Sequence, residues 1–130
     1  MLSTILIVDD DEAIREVMAA SLELEGYASV GARNGREAID ILIANQVRPS
    51  LILLDWMMPV LNGHEFLKLR QKSPALAEIP VIVISAFAGP NIEGLDVDFL
   101  PKPLELEALF SKIRARILPP AGTAHLAPHN

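Results

Sequence analysis

Leu51-Ile52-Leu53-Leu54-Asp55-Trp56-Met57-Met58-Pro59 decides the fold: four apolar residues run into one carboxylate, and the pattern stops. A short apolar run bounded by turn signals reads as a strand buried on both faces, which puts Asp55 at its carboxyl end. In an open α/β sheet, ligands bind in the crevice outside the carboxyl ends of the strands, so an acid there is a site candidate. A capping role for Asp55 is disfavoured, because Pro59 and the Asn62-Gly63 turn delay the next helix.

Working outward, Thr4 to Val8 repeats the buried-strand pattern and ends in Asp9, Asp10, Asp11 and Glu12. Ile14, Val17, Met18, Ser21 and Leu22 follow at helical spacing, with Gly26 as the stop. Asp11 and Glu12 suit the N-terminus of that helix. Tyr27 to Gly31 reads as a second strand, and Asn34 as the N-cap of a helix carrying Ala38, Ile41 and Leu42. A third helix over about His64 to Lys72 uses Phe66, Leu67 and either Leu69 or the stem of Arg70, and Pro74 ends it. Pro80 to Ser85 is a fourth buried strand and Val97 to Leu100 a brief fifth. Between them, Gly89, Pro90 and Gly94 leave room for at most a short helix near Asn91 to Leu95. Leu106, Leu109, Phe110, Ile113 and Ile117 mark a final amphipathic helix, which Pro119-Pro120 terminates.

Five strands alternating with helices imply a parallel sheet covered on both faces. One domain over residues 1–118 is expected, with 119–130 a disordered tail or the start of a linker. His125 and His129 fall in that tail. In 130 residues, 51% hydrophobic, no apolar run reaches the about 18 residues of a membrane span. The N-terminus lacks a basic region before its strand, which argues against a signal peptide. Zero cysteines exclude disulfides and thiol chemistry and fit a cytoplasmic protein. The net charge of −6 lacks a nucleic-acid footprint, so neither direct nucleic-acid contact nor membrane association is expected.

The alternation brings Asp9, Asp10, Asp55, Ser85 and Lys102 to one sheet edge. Three carboxylates meeting there repel one another unless a cation or protonation relieves them. Oxygen ligands suit Mg²⁺ better than zinc. A lysine supplies a positive charge for a phosphoryl oxygen and a serine a donor, so the set describes a phosphoryl-accepting carboxylate.

ILIVDDDE at 5–12, LILLDWMMPVLNG at 51–63, VIVISA at 81–86 and FLPKP at 99–103 together resemble the receiver domain of two-component response regulators, over roughly residues 3–118. The resemblance implies a flavodoxin-like doubly wound sheet, strand order 2-1-3-4-5. It implies that Asp55 accepts a phosphoryl group from a histidine kinase or histidine phosphotransfer protein. Asp10 would be a direct Mg²⁺ ligand, Asp9 a ligand through water, and Met57 a backbone-carbonyl ligand. Ser85 resembles the switch hydroxyl, Lys102 the lysine that pairs with the phosphoryl group, and Phe99 the switch aromatic, for which a plain core role is an equal reading. The Lys102-Pro103 peptide is similar to one that is cis in the family. An unidentified downstream protein is implied, and a homodimer rests on family habit alone.

The Ser85 to Lys102 segment is shorter than the family norm by about five residues, more than a helical turn of about 3.6, so the fourth helix should be shortened or missing. Met57 and Phe87 occupy the two positions that influence water attack on the acyl phosphate in similar proteins. Both are apolar, which predicts slow autodephosphorylation. Trp56 is expected to be a partly exposed loop aromatic, and Asp96 and Asp98 solvated acids. Two other functions stay open: a receiver-like binding module that is not phosphorylated, and an Asp-nucleophile, Mg²⁺-dependent phosphatase. The latter wants an acid where Met57 stands.

Overall fold

The computed structural model describes residues 3–44, 48–58, 61–86 and 97–117. Among them, strands β1 (Thr4–Val8), β2 (Ala28–Ala32), β3 (Leu51–Asp55), β4 (Val81–Ser85) and β5 (Asp98–Pro101) form one sheet. Its order is 2-1-3-4-5 and every pairing is parallel, as expected for a flavodoxin-like sheet. β3 and β4 are central, and all five residues of each are buried. That double burial is why their sequences read as continuous apolar runs rather than alternating ones.

Helices α1 (Glu12–Leu24), α2 (Gly35–Ala44), α3 (Gly63–Gln71), the single turn α4 (Pro74–Ala77) and α5 (Leu106–Arg116) complete the described elements. The sheet separates two apolar layers. Leu6, Val8, Ile52, Leu54 and Val83 face Ala38 and Leu42 of α2 and Phe66 and Leu67 of α3. Ile5, Ile7, Leu53 and Ile82 face Met18 and Leu22 of α1 and Leu109 and Ile113 of α5. Each fully buried aliphatic side chain contributes about 1.5–3 kcal/mol.

Local signals set the helix starts. Asp11 accepts hydrogen bonds from the Ala13 and Ile14 N–H groups at 2.9 and 3.3 Å. Asn34 Oδ1 accepts from the Glu37 N–H at 2.8 Å. Asn62 and Glu65 form a reciprocal capping box, so α3 begins at Gly63, one residue before the expected start. Gly26, at φ 91°, follows α1 in the left-handed region that glycine tolerates.

Several expectations are corrected. β2 starts and ends one residue later than read. Val17 is 62% exposed, because Met18 and Leu22 define the buried stripe and Val17 is rotated off it. In α2, Ile39 is buried, whereas Ile41 is only partly so. Trp56 is 9% exposed and joins the core beside Phe66 and Leu67, not a solvent-facing loop. Asp98 is ion-paired with Arg116 at 2.7 Å and its pKa is lowered, first by that hydrogen bond. Pro74 does end the α3 region, then starts α4 at its first position, where its missing N–H costs nothing. The shortened fourth helix, Phe87, Asp96, the tail and its two histidines lie outside the described residues. No helix of the described residues is long and apolar enough to cross a membrane.

Candidate functional site

Parallel pairing points every carboxyl end the same way. Val8 is in register with Leu54, Asp55 with Ile84, and Ser85 with Pro101. Asp9, Asp10, Asp55, Ser85 and Lys102 therefore arrive at one edge from four strands, as the sequence predicts. Asp9, Asp55 and Ser85 are buried, while Asp10 is exposed. One carboxylate oxygen from each of Asp9, Asp10 and Asp55 lies within 4.8 Å of the others.

Lys102 stands against two of these acids, with Nζ 3.4 Å from Asp55 Oδ1 and 3.8 Å from Asp9 Oδ2. Its backbone N–H donates to the Ser85 carbonyl at 2.9 Å, so the strand ladder extends one residue past β5 and delivers the side chain. The Lys102-Pro103 peptide is cis, as the resemblance implies. Asp9 Oδ1 accepts from the Asp11 N–H at 2.9 Å, and Asp55 Oδ1 accepts a long bond from the Met57 N–H at 3.4 Å. Phe99 pairs with Val83 on the neighbouring strand and packs, partly buried, against the α2 and α3 layer.

Burial lifts the Asp55 carboxyl to about 6, with the Asp9 charge adding to the rise and Lys102 and the Met57 N–H opposing it. Asp9 is raised as well, first by burial, against the Asp11 N–H and Lys102. The lysine thus offsets only part of the cost of holding these acids together. Oxygen ligands, excess negative charge and an exposed third acid fit a hard divalent cation that keeps some of its water.

Arg15 escapes the sequence reading. Its Nη1 donates to the Asp9 carbonyl at 2.7 Å, fixing the backbone that carries the first acid, and its stem crosses the bare face of Gly31. An arginine beside Ile14 on the first turn of an apolar-faced helix was the available signal. Beside Asp9 and Lys102 an open cavity of about 520 Å³ is lined by apolar side chains including Ile14, Val17, Met18 and Leu106.

Comparison with known proteins agrees with this geometry. Response regulator MprA of Mycolicibacterium vanbaalenii is 40% identical over 116 residues, covering 85% of this chain and 48% of that protein. The chain thus spans about half the length of such curated relatives. The signal receiver domain of a signal transduction histidine kinase from Syntrophus aciditrophicus superposes with a TM-score of 0.80 at 30% identity, covering 98% of this chain and 97% of that one. Response regulator protein TrrA from Thermotoga maritima, solved in complex with Mg²⁺-BeF, gives a TM-score of 0.76 at 26% identity, covering 89% of this chain and all of that one. Residues 5–114 match the family described as the response regulator receiver domain, and the chain belongs to that family.

Proposed function

We propose that Asp55 is the phosphoacceptor of a two-component phosphorelay and takes its phosphoryl group from a histidine kinase or histidine phosphotransfer protein. An Asp55 carboxylate oxygen attacks phosphorus as the phosphohistidine P–N bond breaks, and the donor imidazole leaves. The observation that carries this reading is the placement of Lys102 Nζ between two buried carboxylates, Asp55 and Asp9, with Asp10 within reach. That grouping is costly for a fold alone and useful where charge must be handled.

Asp9, Asp10, Asp55 and the Met57 backbone carbonyl are the groups that would hold Mg²⁺, with Asp9 acting through water. When bound, the ion offsets the repulsion between the acids and the incoming phosphoryl oxygens. Lys102 pairs with one phosphoryl oxygen, and the Ser85 hydroxyl donates to another. Phosphorylation adds about −1.5 to −2 charge units at this edge. Movement of Ser85 toward that charge, with Phe99 two register positions back on the neighbouring strand, biases the surface a downstream protein reads. The chemistry is self-phosphorylation and autodephosphorylation, in a cytoplasmic protein. Exposed Val17 and Leu106, flanking the cavity beside the acids, give a protein donor an apolar surface to meet.

Intact mass after incubation with Mg²⁺ and acetyl phosphate tests the reading. A single Mg²⁺-dependent phosphoryl adduct that is absent in Asp55→Asn is expected. No adduct from acetyl phosphate or from a phosphohistidine donor, with Mg²⁺ binding intact, would favour a non-phosphorylated binding module. Continuous phosphate release would favour a phosphatase.

A further inference from the structure

Two close approaches hold the chain that follows Asp55, and each occurs at a glycine. Gly35, the first residue of α2, donates its N–H to the Leu61 carbonyl at 3.2 Å. A Cβ on Gly35 would stand 2.6 Å from that same carbonyl oxygen, a backbone atom with no freedom to swing aside. Gly63 donates its N–H to the Trp56 carbonyl at 3.1 Å, and a Cβ there would meet Trp56 Cε3 at 2.7 Å and Trp56 Cα at 3.0 Å. The buried Trp56 side chain therefore lies against a position where only glycine fits, with the His64 ring at 81° to the indole and 6.2 Å between ring centroids. Trp56 is the peptide neighbour of both Asp55 and Met57.

We infer that Gly35 is a positioning residue for the metal and phosphoryl site, although it belongs to another helix and lies 20 residues before Asp55 in the sequence. Anything that displaces the Leu61 carbonyl pushes on Asn62 and Gly63, and through the Gly63 to Trp56 contact on the backbone at Met57. The inference rests on the phosphoacceptor reading, because its object is the Met57 carbonyl as a Mg²⁺ ligand. It assigns α2 a role in cation affinity without any α2 side chain touching the cation.

The test is Mg²⁺ affinity by calorimetry on wild type, Gly35→Ala and Leu22→Ala, all under conditions where each is folded. Leu22 is fully buried on the opposite face of the sheet and serves as a destabilised control. Gly35→Ala should bind Mg²⁺ about tenfold more weakly, the low end of what outer supports of metal ligands carry, with Leu22→Ala unchanged. Unchanged affinity in Gly35→Ala, or equal weakening in both variants, overturns the inference while leaving the phosphoacceptor reading in place. Failure of wild type to bind Mg²⁺ overturns both. If Gly35→Ala does not fold, amide exchange on wild type decides. Mg²⁺ should slow exchange of the Gly35 and Gly63 N–H groups, and indifference of both to Mg²⁺ overturns the inference.

Discussion

Lys102 Nζ lies 3.4 Å from Asp55 Oδ1, yet the Asp55 carboxyl still titrates at about 6, so at this pair burial outweighs the counter-charge. The folded state holds the Asp55 proton more tightly than the unfolded chain, whose value is near 3.8. The stability that this proton contributes is therefore fully present below about pH 4 and is lost as pH rises through about 6. Asp55→Asn removes the titration. Metal-free, it should be more stable than wild type at pH 7.5 by about 1–3 kcal/mol, with the difference shrinking toward pH 4. Urea unfolding across that range checks this, and a pH-independent difference would refute it. Mg²⁺ should stabilise wild type more than Asp55→Asn.

Lys102→Met leaves Asp9 and Asp55 facing each other without the lysine's charge. Metal-free at pH 7.5 the variant should lose about 1–2 kcal/mol, less than a fully buried pair would lose because the lysine side chain is 28% exposed. The loss should be smaller in an Asp55→Asn background. Additive losses in that double-mutant cycle would mean the two groups do not interact.

The fold was legible because β3 and β4 lie between two helical layers and so carry unbroken apolar runs, which few other environments demand. The candidate acids were legible because each directly follows or ends such a run. Trp56 was misread because its neighbour Asp55 marks an edge, while the space that swallows the indole is made by a missing side chain at Gly63, seven residues on. Val17 was misread because periodicity finds a face about 100° wide without fixing its centre. Asp98 was misread because its partner, Arg116, is 18 residues away on α5. Gly35 meets the backbone carbonyl of Leu61, far along the chain, and no spacing rule encodes such a contact, whereas Arg15 reaches back only to the Asp9 carbonyl and its place on the first turn of α1 was a usable signal.

Arg70 is 4% exposed, with its guanidinium donating to the Ala77 carbonyl at 2.8 Å and to the Ile79 carbonyl at 2.7 and 3.2 Å. It fastens α3 to the entry of β4, and its stem, not Leu69, completes the buried face of the helix. Arg70→Met keeps the stem but strands two carbonyls. A destabilisation of about 2–4 kcal/mol is expected by urea unfolding, with phosphoryl adduct formation unchanged while the variant is folded. Loss of phosphorylation in the folded variant would show that α3 anchoring reaches the site.

Met57, two residues after the proposed phosphoacceptor Asp55, is 54% exposed, and the prediction is that its side chain borders the path of attacking water. A thioether neither takes a proton from water nor aligns it for in-line attack, and the acyl phosphate should persist for minutes or longer. Met57→Glu places a carboxylate at that border and should hasten hydrolysis by about tenfold, below the about 10²–10⁴ of a well-placed general base because a surface side chain is not fixed. Following adduct decay by intact mass after removing the donor measures both rates. A wild-type half-life of seconds would contradict the argument. Equal lifetimes in the two proteins would show that the side chain at Met57 does not control water attack.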